Sequence, residues 1–156
     1  MINRSELNDR EFNILRDLIY KEAGINLADS KRVMMAARLQ RRLIDLNFSN
    51  FKQYVDHICS SNGYESERVH FINRMTTNKT DFFREPKHFE FLTKTALPRI
   101  SYKLRPQSTE PLTIWSAASS TGEEAYTLGM VINEYVRQNP TLTENYQILG
   151  TDISTR

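Results

Sequence analysis

Leu112-Thr113-Ile114-Trp115-Ser116-Ala117-Ala118-Ser119-Ser120-Thr121-Gly122-Glu123-Glu124 runs from a β-branched and aromatic segment into small residues, one glycine and two acids, after which an apolar helical period begins. That change of period predicts a strand, a tight turn and a helix start. The first turn of a helix leaves N–H groups without intrahelical acceptors, and small side chains let a ligand come close to the backbone. Such a junction suits a nucleotide-like cofactor. Further along, Ile148-Leu149-Gly150-Thr151-Asp152 predicts a second apolar strand that ends in an acid, where a carboxylate can accept both hydroxyls of a ribose.

The rest of the chain is read outward from this unit. Its 156 residues allow one domain or two small ones, and 39% apolar residues are enough for a packed core. A net charge of +2 from nearly balanced acids and bases gives no general nucleic-acid surface. The beginning, Met1-Ile2-Asn3-Arg4-Ser5-Glu6, has no signal-peptide core, and no window approaches a membrane span, so a cytoplasmic protein without membrane insertion is expected. Cys59 is the one cysteine; beside Ile58 in a helical pattern it reads as a partly buried thiol without chemistry.

Residues 1–76 predict a compact helical bundle. Asn8 and Glu11 have capping-box spacing, Phe12, Leu15, Leu18 and Ile19 form a stripe, and Gly24 ends the first helix. Asp29 or Ser30 is expected to cap a second helix running to about Asn47, and Ser49 a third carrying Phe51, Tyr54, Val55 and Ile58. Gly63 is expected to separate it from a fourth helix carrying Val69, Ile72 and Met75. On a wheel of about 100° per residue, Lys31, Arg38 and Arg42 of the second helix lie within about 40° of one another, with Val33, Ala36, Ala37, Leu43 and Ile44 opposite and Arg41 flanking. Such a stripe is either a solvated face or a dock for an acidic protein helix; without interleaved aromatics it does not suit nucleic acid.

Between bundle and strand, Met75-Thr76-Thr77-Asn78-Lys79-Thr80-Asp81-Phe82-Phe83-Arg84-Glu85-Pro86 has no regular apolar period and predicts a shaped loop. Phe82 and Phe83 read as packing plugs, Pro86 as the first residue of a helix with Phe89, Leu92 and Leu97, and Pro98 as its brake. Arg84 suits a bidentate carboxylate clamp, with Asn78 and Thr80 able to orient the same ligand. His57, His70 and His88 lack metal-ligand spacing, so no metal is expected. Ser119 and Ser120 do not sit in a nucleophile elbow, no triphosphate loop is present, and adjacent Glu123 and Glu124 diverge too far to flank one glycosidic bond.

Three separated blocks, residues 76–84, 114–124 and 150–154, resemble the chemotaxis receptor glutamate methyltransferases of the CheR type, and Ala37-Arg38-Leu39-Gln40-Arg41-Arg42-Leu43 adds a weaker fourth. The resemblance implies an α + α/β chain: an N-terminal all-α receptor-recognition domain over 1–76, then over 77–156 a linker and the truncated beginning of a Rossmann-like methyltransferase domain. It implies S-adenosylmethionine as cofactor, S-adenosylhomocysteine as product, and no metal. By that likeness Asn78, Thr80 and Arg84 hold the amino-acid end of the cofactor, Glu123 a further polar group and Asp152 the ribose. Lys31, Arg38, Arg41 and Arg42 would meet the cytoplasmic helical region of a chemotaxis receptor.

Methyl transfer from a sulfonium to an ionised glutamate is an in-line displacement that needs neither a general base nor a metal near pH 7, so no catalytic side chain is expected. Ala125 stands where the family often has proline and Ser119 where many members have a small residue or cysteine. The family's α/β domain continues with more strands, and a tethering β subdomain found in some members is also missing. An N-terminal portion, inactive alone and able to self-associate through its exposed sheet edge, is therefore expected. A non-catalytic docking module is the alternative, and a nicotinamide-dependent oxidoreductase a weaker one, because Gly122 is the single glycine of the turn.

Overall fold

The computed structural model describes residues 6–103, 111–139 and 145–155. The chain divides into two compact units, the first running to Thr77 and taking in Ile153–Thr155, the second from Asn78 to Asp152.

The first unit is all helical: α1 (Asp9–Ala23), a 3₁₀ turn (Asp29–Lys31), α2 (Arg32–Asp45), α3 (Phe51–Ile58) and α4 (Ser61–Met75). Asn8 and Glu11 complete a reciprocal capping box at the start of α1, and Gly24 closes it in the left-handed conformation at φ 66°. Phe12, Leu15 and Ile19 of α1 pack with Met35, Leu39 and Leu43 of α2, Phe51, Tyr54 and Ile58 of α3, and Phe71 and Met75 of α4 in one core. Asn73 of α4 donates to Thr155 Oγ1 at 2.9 Å and accepts the Thr155 N–H at 3.0 Å, fixing the returning segment to this unit.

Several local expectations change. The second helix starts later, after the 3₁₀ turn, and has no side-chain cap. Asn50, not Ser49, caps α3 by accepting the Gln53 N–H, while the Gln53 side chain accepts the Ser49 N–H. Gly63 does not separate two helices but lies within α4, whose cap is Ser60. It is glycine because α4 passes close to the end of α3: a Cβ there would lie 1.9 Å from the carbonyl oxygen of His57. Val69 is 41% exposed, because α4 buries the Glu67, Phe71, Met75 row instead.

The stripe of α2 is also displaced from the expected side. Met35, Leu39 and Leu43 are its buried row, while Val33 is 80% and Ile44 39% exposed. Leu39 lies only about 80° around the helix from the basic cluster, so the cations flank the core rather than oppose it. One consequence is a buried polar triad. Glu67, 1% exposed, accepts the single Arg42 Nε–H shared between its two oxygens at 2.8 and 2.9 Å, one bond from Arg42 Nη2 at 2.7 Å and one from the Tyr54 hydroxyl at 3.0 Å.

Burial, and then the Glu67 carboxylate beside it, push the Tyr54 phenol far above its ordinary range. The folded state keeps this proton where the unfolded chain, titrating near about pH 10, releases it, so the triad's contribution is complete below about pH 10 and declines as pH rises further. The unfolding free energy from urea titrations is therefore expected to fall above about pH 10, by up to about 1.4 kcal/mol per pH unit from this one proton. Tyr54→Phe should flatten that slope; an unchanged slope would contradict the assignment.

The second unit begins with the linker and α5 (Pro86–Phe91), a π turn (Leu92–Ala96) and α6 (Leu97–Lys103). Pro86 opens α5 as its first residue. Pro98 does not stop the run, because the wider π turn ends just before it and places it in the first turn of the resumed helix, where no amide proton is needed. Then come β1 (Leu112–Ala117), α7 (Glu123–Gln138) and β2 (Tyr146–Thr151). The strands pair in parallel, Ile114 opposite Ile148, Trp115 opposite Leu149 and Ser116 opposite Gly150. This is a β-α-β unit of Rossmann-like type, so the chain is all-α followed by the start of an α/β domain.

Leu97, Ile132 and Val136 are the buried centre of this unit, with Leu92, Leu112, Ile114, Leu128 and Tyr146 packed around them. The opposite sheet face is open among the described residues: Trp115 is 66% and Leu149 54% exposed. Phe82 and Phe83 do not act as plugs, being 55% and 52% exposed. Phe83 sits in the left-handed region at φ 55°, and its ring meets the buried Phe89 edge-on at 6.3 Å.

Candidate functional site

Left-handed non-glycine residues gather at two places in the second unit: Ala118 and Ser120 in the β1–α7 turn, and Phe83 and Glu85 in the linker. Each such conformation costs on the order of 1 kcal/mol and persists where surrounding contacts dictate it, a pattern concentrated at ligand clamps. Composition had no means of announcing it. In the turn, left-handed residues 118, 120 and 122 alternate with ordinary ones, the last being Gly122 at φ 102°.

The turn is locked to the tip of β2. Ser119 N–H donates to Thr151 O at 2.9 Å, and Ser120 N–H to Asp152 Oδ2 at 2.7 Å. Gly150 permits this approach, since a Cβ there would lie 3.0 Å from Ser119 Oγ. Ser116, 1% exposed, donates to Glu124 Oε1 at 2.7 Å, and Thr121 Oγ1 donates to Glu123 Oε2 at 2.5 Å. Trp115 Nε1 donates to Thr151 Oγ1 at 2.9 Å across the strands.

Of the residues singled out in the sequence, Asp152 and the Glu123 turn are thus brought together, linked through Ser120. In the linker the Arg84 guanidinium donates to Lys79 O at 2.7 Å, folding residues 79–84 on themselves, and Asn78 and Thr80 are half-buried within the same segment. The linker joins α7 through Thr127, a fully buried residue the sequence reading passed over: Phe83 N–H donates to Thr127 Oγ1 at 3.2 Å, and that hydroxyl donates to Glu123 O at 2.6 Å. A threonine four residues beyond a helix-start glutamate was its only sequence signal.

The basic set of α2 is less uniform. Arg38 Nη1 donates to Met75 O at 2.5 Å and Nη2 to Thr77 Oγ1 at 2.6 Å, so it caps the end of α4. Arg42 is held by Glu67, which together with burial sets its pKa: the hydrogen bond raises it, and the net shift is upward. Lys31 is exposed, and Arg41, 70% exposed, pairs with Asp45 at 3.1 Å.

Residues 78–156 match the SAM-binding domain of CheR methyltransferases, and residues 10–76 match the all-α domain of the same family. The chain belongs to the CheR methyltransferase family. It is 39% identical to a chemotaxis protein methyltransferase of Escherichia coli over 99% of this chain and 50% of the relative. Identity is 37% to that of Borreliella burgdorferi over 92% of this chain and 50% of the relative, and 37% to that of Salmonella typhimurium over 99% and 49%. The chain spans about half the length of the curated relatives it matches.

S-adenosylmethionine is accordingly the cofactor of the CheR domain, and the local chemistry fits it. No side chain caps the first turn of α7, which leaves its N–H donors to a ligand. The buried Ser120 hydroxyl has no hydrogen-bond partner among the described residues, which suits an incoming polar group. Two carboxylates and several donors are of the types that suit an ammonium, a carboxylate and a ribose diol. No described helix is long and apolar enough to cross a membrane.

Proposed function

We propose that this chain supplies the receptor-docking and much of the cofactor-binding part of an S-adenosylmethionine-dependent protein-glutamate O-methyltransferase acting on cytoplasmic helices of chemotaxis receptors. The observation that carries the reading is the union of Asp152 with the β1–α7 turn through Ser120, within the segment that matches the SAM-binding domain. Asn78, Thr80 and Arg84 hold the amino-acid end of the cofactor, Glu123 a further polar group, and Asp152 the ribose. When bound, the cofactor would supply an electrophilic methyl group for an ionised glutamate oxygen, with a thioether as its leaving group. The residues of this chain align rather than transfer protons. Titrating S-adenosylhomocysteine into this chain, and into the chain extended through a complete α/β domain, tests this; binding is expected, together with base-labile methyl label on receptor glutamate from the extended chain, and absence of binding to both would refute the reading.

The basic face formed by Lys31 of the 3₁₀ turn and Arg38, Arg41 and Arg42 of α2 is the proposed dock for acidic receptor helices. Lys31 and Arg41 are its exposed members, so they test docking without touching the core. In an enzyme extended through the complete α/β domain, Lys31→Glu with Arg41→Glu is expected to raise the apparent KM for receptor by about 3- to 10-fold at low salt, less at high salt, with cofactor affinity unchanged. Receptor kinetics that stay the same would leave α2 with a merely solvated face. The exposed Trp115 and Leu149, side by side on the open sheet face, support self-association as a secondary property, read by sedimentation.

A further inference from the structure

Thr127 has a position that no ligand-contact argument demands. It is 0% exposed, lies one turn into α7 and presents one hydroxyl to two backbone groups from different segments. Its proton goes to Glu123 O at 2.6 Å, which leaves an oxygen lone pair for the Phe83 N–H at 3.2 Å. Glu123 is the first residue of α7, directly after the left-handed Gly122. Phe83 is itself left-handed, at φ 55°, and directly precedes Arg84. A bulky residue in that region needs its backbone held from outside the loop, and the Thr127 hydroxyl does so. The loop's internal bonds, Arg84 N–H to Asp81 O at 3.4 Å and the Arg84 guanidinium to Lys79 O at 2.7 Å, shape it but do not tie it to the helix.

We propose that Thr127 is a positioning residue: its hydroxyl pins the Phe83–Arg84 backbone to the first turn of α7 and so fixes the Arg84 carboxylate clamp relative to the Glu123 turn. Thr127 touches no cofactor atom in this scheme; it acts through Arg84. The inference rests on the cofactor reading above. It predicts that loss of the hydroxyl weakens ligands that carry the amino-acid carboxylate and spares those without it.

The test uses the full chain with Thr127→Val, which keeps the buried shape but removes donor and acceptor, Thr127→Ser, which keeps the hydroxyl, and Thr127→Ala as a second deletion. S-adenosylhomocysteine is the carboxylate-bearing probe and 5′-methylthioadenosine the one lacking the amino-acid end. Thr127→Val is expected to raise the Kd for S-adenosylhomocysteine by about 3- to 10-fold, as for one lost hydrogen bond, and to leave 5′-methylthioadenosine unchanged. Thr127→Ser restores the affinity, and in an Arg84→Ala background Thr127→Val adds nothing. In the ligand-free protein, amide hydrogen exchange at Phe83 and Arg84 is faster in Thr127→Val and normal in Thr127→Ser. Equal weakening of both probes, or unchanged affinity and exchange, overturns the proposal. A wild-type protein that binds neither probe overturns the cofactor reading instead, and the exchange rates then decide separately whether Thr127 fixes the loop.

Discussion

Replacing Arg42 by alanine is expected to destabilise the first unit by about 3–5 kcal/mol, because it strands a carboxylate inside the bundle. Glu67 is 1% exposed and is held by two guanidinium N–H groups of Arg42, Nε and Nη2. The remaining partner, the Tyr54 hydroxyl at 3.0 Å, stabilises an anion far less than a guanidinium does. The reverse change, Glu67→Ala, is the milder break, since Arg42 is 17% exposed and its freed guanidinium reaches water. Replacing the whole triad by Tyr54→Phe, Glu67→Met and Arg42→Met should recover most of the loss, because no polar group is then left buried without a partner. Urea unfolding of the variants checks this; an Arg42→Ala loss below about 1 kcal/mol would show that Glu67 finds another partner or a proton. A methylation defect in Arg42→Ala is therefore no measure of receptor docking, whereas one in Lys31 and Arg41 is.

Arg84→Ala is expected to weaken S-adenosylhomocysteine binding by about 1.5–3 kcal/mol, the range for a hydrogen bond involving a charged partner. The guanidinium already bonds Lys79 O at 2.7 Å, so part of its donor set is spent holding the loop in shape and the rest faces outward from an exposed side chain. Arg84→Lys should recover only part of the affinity, because an ammonium keeps the charge but lacks the planar fork that reaches a carbonyl and a carboxylate together. Calorimetry on both variants reads this directly. Unchanged affinity in Arg84→Ala would remove the arginine from the cofactor's carboxylate end.

The strand, turn and helix from Leu112 to Glu124 were legible because their signal is local: period two gives way to small residues and then to period 3.6. The same holds for the Asn8 capping box and the Pro86 helix start, where a few adjacent residues settle the geometry. What escaped reading depends on contacts between segments. Gly63 looks like a break until the His57 carbonyl is known to lie against it, and Glu67 looks like surface until Arg42, 25 positions away, closes on it. Leu43 was expected on the apolar side, but Met35 and Leu39 were hidden because Arg38 and Arg42 lie beside them, and arginine can flank a core by laying its stem against it. In the site, residue types pointed to Arg84 and Asp152 as groups of the right chemistry. The left-handed backbone at Phe83, Ala118 and Ser120, and the buried Thr127 hydroxyl that joins linker to helix, are products of packing and carry no local signature.

The measurement that bears most directly on the central claim, a cofactor site centred on the β1–α7 turn, is a calorimetric titration of S-adenosylhomocysteine into the full chain and into its Asp152→Ala variant. One binding event is predicted for the wild type, with affinity reduced by about 10-fold or more when the ribose acceptor is removed. Absence of binding to the wild type, or binding that Asp152→Ala leaves untouched, would contradict the account.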